Sequence, residues 1–458
     1  MSDIVLRRKI YSDLMEWKER KHKSLLIKGQ RQVGKTYIIR EFGKRNYEHL
    51  IEVNFSEQSD AINDFKGSLN CDTLVSLLSV RFGAENLVPG STLIFFDEIQ
   101  ECPRARTALK FFTEDGRFDV IASGSLIDVA SDDSRTIIPV GYEETMIMRS
   151  LDFEEFLWAL KVPEDVITDI RGSIRECRPI DEGFLKAIES RFIDFMIVGG
   201  MPESVVAFVD TKNYDVSRGI SEQIMQSMYN DVGKYNSGSN RIRIEACLRS
   251  VPSQLAQSNK KFMYTRVDNG LESRKAASFY SDSLSWIERA GIGTWCYALT
   301  SPEKPLESFL NLKQFKVYMS DTGLLMGMYG RNTIINLLNG KDDIRIGAII
   351  ENEVAECLTK AGYRTCYLSR NKGSDRLEID FVIALGDDIT AIEVKSGKDR
   401  SASSLRKVDR VYPEITRKMK FENCNIHSDE ECEHYPLFAA AFIDELDPYR
   451  DIELKADF

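Results

Sequence analysis

The stretch Leu25-Leu26-Ile27-Lys28-Gly29-Gln30-Arg31-Gln32-Val33-Gly34-Lys35-Thr36 decides the fold. Residues 29–36 fit the spacing G-x-x-x-x-G-K-[ST], in which backbone N–H groups cradle phosphate oxygens, the lysine reaches the outer phosphates and the hydroxyl holds Mg²⁺. An apolar strand, Leu25 to Lys28, enters this loop, and a helix over Tyr37 to Phe42 leaves it, with the positive end of its dipole at the phosphate. Gly29, Gln30, Arg31, Gln32, Val33, Gly34, Lys35 and Thr36 are therefore the candidate nucleotide-binding residues, with ATP as the expected ligand.

Two further strand ends belong with this loop. Leu93-Ile94-Phe95-Phe96-Asp97-Glu98 is an apolar run closing on two acids. Asp97 is expected to share the metal with Thr36, and Glu98 to orient the attacking water as general base. Asp119-Val120-Ile121-Ala122-Ser123-Gly124-Ser125 ends in hydroxyls, and Ser123 is the candidate side chain that senses the terminal phosphate. Lys35, Glu98 and Ser123 form the expected catalytic set, and the paired acids favour hydrolysis over binding alone. Arg104, Arg106, Arg135 and Arg149 are all candidates for an arginine that completes the charge, and spacing does not choose among them.

The surroundings predict a parallel sheet. Leu50 to Phe55 and Thr145 to Met148 join the three strands above, separated by helical stretches, as in a sheet covered by helices on both faces. This P-loop ATPase core spans 1–150. From Leu151 to Tyr235 the periodicity turns helical, with Phe153, Phe156, Leu157 and Leu160 on one stripe, which predicts a helical subdomain over 151–235. Asn236-Ser237-Gly238-Ser239-Asn240 reads as a boundary. Within 236–330, helical segments precede apolar strands at Gly293–Leu299 and Phe315–Met319, and Ala276, Tyr280, Leu284 and Ile287 align on a longer helix, which predicts a winged helix-turn-helix. Arg274, Lys275 and Ser278 are its candidate DNA contacts, against Glu272, Asp282 and Glu288 on the same helix. Gly199-Gly200-Met201-Pro202-Glu203 reads as a helix stop and turn.

The last unit, 331–458, is expected to be α/β. A helix over Ile346–Ala361 precedes two strands, Leu377–Ile383 and Ala391–Lys395, turned by Gly386-Asp387-Asp388. That hairpin sets Asp380 beside Glu393, with Lys395 on the face of Glu393 because strand side chains alternate. The pattern D…E-x-K can hold Mg²⁺ on its acids and steady phosphodiester cleavage with its lysine. Glu351 on the preceding helix is the expected third acid. An ordinary surface hairpin with a cross-strand ion pair is the alternative. Cys424, His427, Cys432 and His434 crowd one segment, yet their spacing matches no tetrahedral zinc motif closely, and a polar loop is expected there.

Composition bounds the function. The 458 residues are 43% hydrophobic and 29% charged, the balance of folded globular domains. Nine cysteines without a C-x-x-C pair predict no disulfide framework, and the absence of a signal peptide or long apolar run predicts a cytoplasmic protein away from membranes. The net charge of -11 argues against nucleic acid as an average, but Phe421 onward contributes 11 acids and 2 bases, leaving residues 1–420 at -2.

Taken in order, GQRQVGKT (29–36), FFDEIQ (95–100), ASGS (122–125), GGMPE (199–203), YNDVGKY (229–235), VYMSDTGLL (317–325), IIENEVAECL (349–358), EIDFVIA and IEVKSG (378–397) resemble the bacterial and archaeal AAA-type ATP-binding proteins fused to a C-terminal domain of unknown function with a restriction-endonuclease-like, PD-(D/E)xK, ending. The resemblance spans almost the whole chain. It implies ATP and Mg²⁺ binding by Lys35, Thr36, Asp97 and Glu98, and the winged helix in the middle. The acidic Cys/His segment at 424–434 departs from it. Two functions follow as expectations. One is an ATPase coupled to DNA handling, with a possible nuclease site at Glu351, Asp380, Glu393 and Lys395. The other is a nucleotide switch acting on a protein partner or on further copies of the chain, with a silent nuclease-like fold.

Overall fold

The computed structural model describes residues 4–20, 22–126, 141–235, 238–257, 259–267, 277–341, 344–370, 376–396 and 404–450. The chain divides into two compact units, one of Arg7–Ser150 with Arg289–Gly291, the other of Met1–Leu6, Leu151–Glu288 and Ile292–Phe458.

The first unit is built on five strands, β1 (Ser24–Gly29), β2 (His49–Asn54), β3 (Thr92–Asp97), β4 (Asp119–Ser125) and β5 (Glu143–Met148). They lie in the order β2-β3-β4-β1-β5, and every pairing is parallel. These are the five apolar runs read from the sequence. Every residue of β3 is buried, because a parallel sheet needs crossover helices and these cover both faces. Leu26, Ile94, Phe96 and Val120 pack with Phe55, Phe65 and Phe112 in one core cluster. Phe65 stands edge-on to Phe55 and Phe96 at 5.4 and 5.5 Å. Burying each such side chain is worth roughly 1.5–3 kcal/mol, so this core fixes where the strand ends fall.

The second unit opens with helices Phe153–Ala159, Glu164–Arg175, Glu182–Val198, Pro202–Thr211, Tyr214–Tyr235 and Gly238–Leu255. A capping box between Asp152 and Glu155 starts the first. Of its expected stripe Phe153, Phe156 and Leu157 are buried and Leu160 is half-buried; Phe153 meets Phe192 at 5.0 Å and Phe156 meets Phe195 at 5.2 Å. Gly199, at φ 75°, ends one helix and Pro202 begins the next, so the GGMPE stretch is a stop and turn.

The same unit holds an eight-stranded sheet of β6 (Gly293–Leu299), β7 (Leu310–Met319), β8 (Cys366–Arg370), β9 (Leu377–Leu385), β10 (Asp388–Val394), β11 (Arg417–Glu422), β12 (His427–Ser428) and β13 (Glu433–Pro436). Its order is β12-β13-β11-β10-β9-β8-β6-β7. Here the structure differs from the sequence reading in two ways. The hairpin β6–β7, read as the wing of a separate domain, pairs through Tyr297 and Ala298 with Cys366 and Tyr367 of β8, so the boundary expected at 330 falls inside one sheet. The cause is burial: Cys296 and Ala298 have almost no exposure, and an apolar strand of this kind completes its hydrogen bonds on a neighbour. The helix expected from Ala276 is a 3₁₀ turn at Ala277–Phe279, which includes Ser278, followed by a helix over Ser281–Arg289. Glu272, Arg274, Lys275 and Ala276 lie outside the described residues, as does Arg135. Among the described residues no helix is long and apolar enough to cross a membrane.

Candidate functional site

In the first unit, the carboxyl ends of β1, β3 and β4 bring the predicted residues together. Gly29 closes β1 opposite Ser125 of β4 and Met148 of β5. A side chain on Gly29 would put its Cβ 2.3 Å from the Met148 carbonyl, so only glycine fits. Gln32 at φ 65° and Gly34 at φ 93° turn the loop, and Gly34 caps the helix Lys35–Asn46. Their left-handed backbone aims successive N–H groups one way, which is how such a loop presents donors to an anion. The Lys35 ammonium donates to the carbonyls of Gly29 and Gln30 at 3.0 and 2.9 Å, which holds it over the loop it serves.

Asp97 is the hub of the site. Its carboxylate, 2% exposed, accepts from the Thr36 hydroxyl at 3.2 and 3.1 Å, from the Asn54 amide at 3.2 Å and from the Ser123 hydroxyl. Burial raises its pKa above the ordinary carboxyl range, the Ser123 and Thr36 hydroxyls oppose this, and the charges of Glu98 and Glu52 push with burial. Glu98 sits at φ 53°, and the Gln100 amide donates to its carboxylate, fixing the acid that follows the metal candidate.

Two residues here carry no motif signal. Asn54 ends β2 in register with Asp97, and its carbonyl oxygen also accepts from the Ser56 and Glu57 N–H groups. A polar residue closing an adjacent strand at the same edge was its only sequence mark. Arg8 is buried and reaches from the N-terminal segment to the Val33 carbonyl at 3.1 Å and the Arg149 carbonyl at 2.6 Å, bracing the phosphate loop against the end of β5.

The arginine candidates separate by geometry. Arg104 donates to the Phe65 and Gly67 carbonyls, and Arg106 forms a buried ion pair with Glu143 at 2.6 Å. Arg149 directly follows the register partner of Gly29 and is exposed.

The second unit gathers an acid–lysine cluster. The register of β9 and β10 runs from Asp388 opposite Leu385 to Ile392 opposite Phe381, which makes Asp380 and Glu393 the next pair. Asp380 accepts from the Val394 N–H at 3.0 Å, and Glu393 pairs with Lys395 at 2.5 Å. Burial raises both acids, with Glu351 adding to the rise of Asp380. Glu351, the expected third acid, has further partners. Its carboxylate is taken by Lys316 at 3.0 Å, Tyr318 at 2.5 Å and Lys260, none of which spacing had flagged. Burial alone would raise its pKa, yet the two lysines outweigh it and hold the carboxyl down at about 2. Glu351 thus balances two lysines beside the Asp380–Glu393 pair.

The parallel sheet, the phosphate loop and the Thr36–Asp97 pair define a P-loop ATPase fold. Residues 21–157 match the family described as AAA domain. Residues 189–334 and 346–434 match two domains of unknown function, DUF8612 and DUF4143. No curated protein matches the chain. Similar solved structures include a Walker-type ATPase of Pyrococcus abyssi, at 13% identity and TM-score 0.42, covering 71% of this chain and 96% of that one. The ORC1 protein of Aeropyrum pernix in complex with DNA is similar at 14% identity and TM-score 0.29, covering 74% and 93%. The ORC2 protein of the same organism, in its ADP form, stands at 13% and 0.30, covering 76% and 96%.

Proposed function

We propose that the chain is a Mg²⁺-dependent ATPase whose nucleotide cycle is coupled to DNA handling. The observation that carries the ATPase reading is the Asp97 carboxylate, seated against the Thr36 hydroxyl at the head of the phosphate-loop helix and followed by Glu98. The metal fits this donor set, since Mg²⁺ takes hard oxygen ligands and a hydroxyl and a carboxylate oxygen already lie together there. When bound, Mg²⁺ neutralises charge on the phosphates. The chain's own residues do the rest. Loop N–H groups and Lys35 bind the phosphates, Glu98 orients a water and accepts its proton, Gln100 holds Glu98, and Ser123 keeps the Asp97 carboxylate in place while facing the same edge.

The DNA half of this reading is supported by the D…E-x-K arrangement of Asp380, Glu393 and Lys395. It is tested by incubating the full chain with supercoiled DNA and Mg²⁺, with and without ATP, beside Lys35→Ala and Asp380→Ala. Nicking lost with Asp380→Ala supports a nuclease, and its loss with Lys35→Ala as well means that ATP gates the cut.

A second reading has an observation of its own. Lys260 and Lys316 already neutralise Glu351, as expected of a nuclease-like fold kept for its structure. In that reading the nucleotide state governs a protein partner or a homo-oligomer. No nicking and no mobility shift of duplex DNA at low salt, with ATP hydrolysis intact, selects it.

A further inference from the structure

The loop between β12 and β13 converges three ligand atoms of different chemistry. Among the described residues, Asp429, Cys432 and His434 are the group whose carboxylate oxygen, sulfur and ring nitrogen all lie within 4.8 Å of one another. His434 Nε2 is 3.4 Å from Cys432 Sγ and 3.0 Å from Asp429 Oδ2. In a tetrahedral zinc site, with bonds of about 2.0–2.1 Å to nitrogen or oxygen and about 2.3 Å to sulfur, nitrogen and sulfur stand roughly 3.6 Å apart and nitrogen and oxygen roughly 3.3 Å. His434 Nε2 is thus within a few tenths of an ångström of both tetrahedral separations, and the Cys432 sulfur and Asp429 oxygen lie within 4.8 Å of each other.

His434 and Asp429 are held from behind. His434 Nδ1 lies 2.7 Å from Glu422 Oε1, and Glu422 is itself paired with Lys420 at 3.0 Å. A carboxylate on the far nitrogen of a histidine fixes the tautomer that leaves the near nitrogen with its lone pair inward, as behind most metal-bound histidines. Asp429 Oδ1 accepts from the Glu431 and Cys432 N–H groups at 2.7 and 2.9 Å, which leaves Oδ2 turned to His434. His427, opposite His434 across the β12–β13 pair, stacks on its ring at 4.3 Å and 12°, limiting its rotation.

Charge and softness choose the ion. A neutral imidazole between two carboxylates aims a lone pair at Asp429, which is unfavourable unless a cation stands between them. A divalent ion bound by a thiolate, a carboxylate and a neutral imidazole is charge-balanced, and a mixed sulfur, nitrogen and oxygen set suits zinc-class transition metals over Mg²⁺ or Ca²⁺. We propose that Asp429, Cys432 and His434 form a binding site for one zinc-class divalent ion, with Glu422 as the positioning residue behind His434. Asp429 is exposed, so the fourth position opens to water or an outside donor. The site ties the loop between the two last strands at one end of the eight-stranded sheet.

The competing arrangement is a proton in place of the metal, giving a His434 imidazolium between Glu422 and Asp429. Titrating the metal-stripped full-length protein with Co²⁺ separates the two. The metal site predicts saturation at one equivalent, with tetrahedral d–d bands in the visible and a thiolate-to-cobalt charge-transfer band in the near ultraviolet. Cys432→Ser abolishes the charge-transfer band, Cys424→Ser retains it, and Glu422→Gln weakens Co²⁺ binding about 10- to 100-fold without removing a ligand. No charge-transfer band in the wild-type protein, or a band that survives Cys432→Ser, overturns the proposal, and the wild-type titration decides it even if a variant fails to fold.

Discussion

The Thr36 hydroxyl donates to both carboxylate oxygens of Asp97, at 3.2 and 3.1 Å, across 61 residues of sequence. Ser123 and Asn54 donate to the same carboxylate, so three strands and the phosphate-loop helix fix its orientation. Burial disfavours its charge, so the carboxylate is kept for what its charge does. Asp97→Asn keeps the shape and removes the charge. The expected result is a thermal midpoint no lower than wild type, with Mg²⁺-dependent ATP turnover reduced by about 100-fold or more. A melting curve and a phosphate-release assay read the two quantities, and a large loss of stability with normal turnover would contradict this role.

The arginine candidates should divide by stability. Arg106 and Glu143 form a buried pair, each side chain 9% exposed, and breaking such a pair leaves an uncompensated buried charge. Arg106→Ala is expected to cost about 3–5 kcal/mol in urea unfolding. The exposed Arg149 is expected to change stability by less than about 0.5 kcal/mol when replaced by alanine. Any loss of turnover in Arg149→Ala then reports on chemistry, whereas a loss in Arg106→Ala reports on folding.

A pH signature belongs to His22 and Asp119, 2.9 Å apart. Burial lowers the His22 pKa, but the Asp119 hydrogen bond and charge and the Arg20 carbonyl outweigh it and leave it raised above 6.5. Burial likewise raises Asp119, yet its hydrogen bonds from His22 and Tyr47 leave it below 3.8. The histidine contribution is therefore complete below pH 6.5 and is lost as pH rises through its folded value. The aspartate contribution is complete above 3.8 and is lost as pH falls through its folded value. His22→Gln should remove roughly 1 kcal/mol near pH 6 and flatten the alkaline limb of the urea-stability profile. An unchanged alkaline limb would place the effect elsewhere.

Lys316 and Glu351 are 1% and 3% exposed and 3.0 Å apart, so each should depend on the other. Lys316→Ala alone is expected to destabilise by about 3–5 kcal/mol, and a double-mutant cycle with Glu351→Gln to show coupling of at least about 1 kcal/mol. Additive effects would mean that Lys260 alone balances Glu351.

What the sequence disclosed follows from how each signal is encoded. The strands β1 to β5 read plainly because two-sided burial leaves continuous apolar runs, and Lys35, Thr36, Asp97 and Ser123 read plainly because their chemistry fixes local spacing. Asn54, Arg8 and Lys316 did not, because each acts through a partner brought near only by the fold. The β6–β7 hairpin was visible as a hairpin, but its pairing with β8 is long-range, so it read as a separate wing. In the Cys/His loop, Cys432 and His434 stood out. Asp429 and Glu422 were two acids in an acidic segment, and only their distances to His434 set them apart.

The most direct measurement compares ATP binding and Mg²⁺-dependent hydrolysis by the full-length wild type, Lys35→Ala and Glu98→Gln. Wild type should hydrolyse ATP only with Mg²⁺. Lys35→Ala should lose about 10- to 100-fold in ATP affinity, while Glu98→Gln keeps affinity within about threefold and loses at least about 100-fold in turnover. A wild-type protein that binds no ATP, or a Glu98→Gln variant that turns over at the wild-type rate, would contradict the assignment of this site as an ATPase centre.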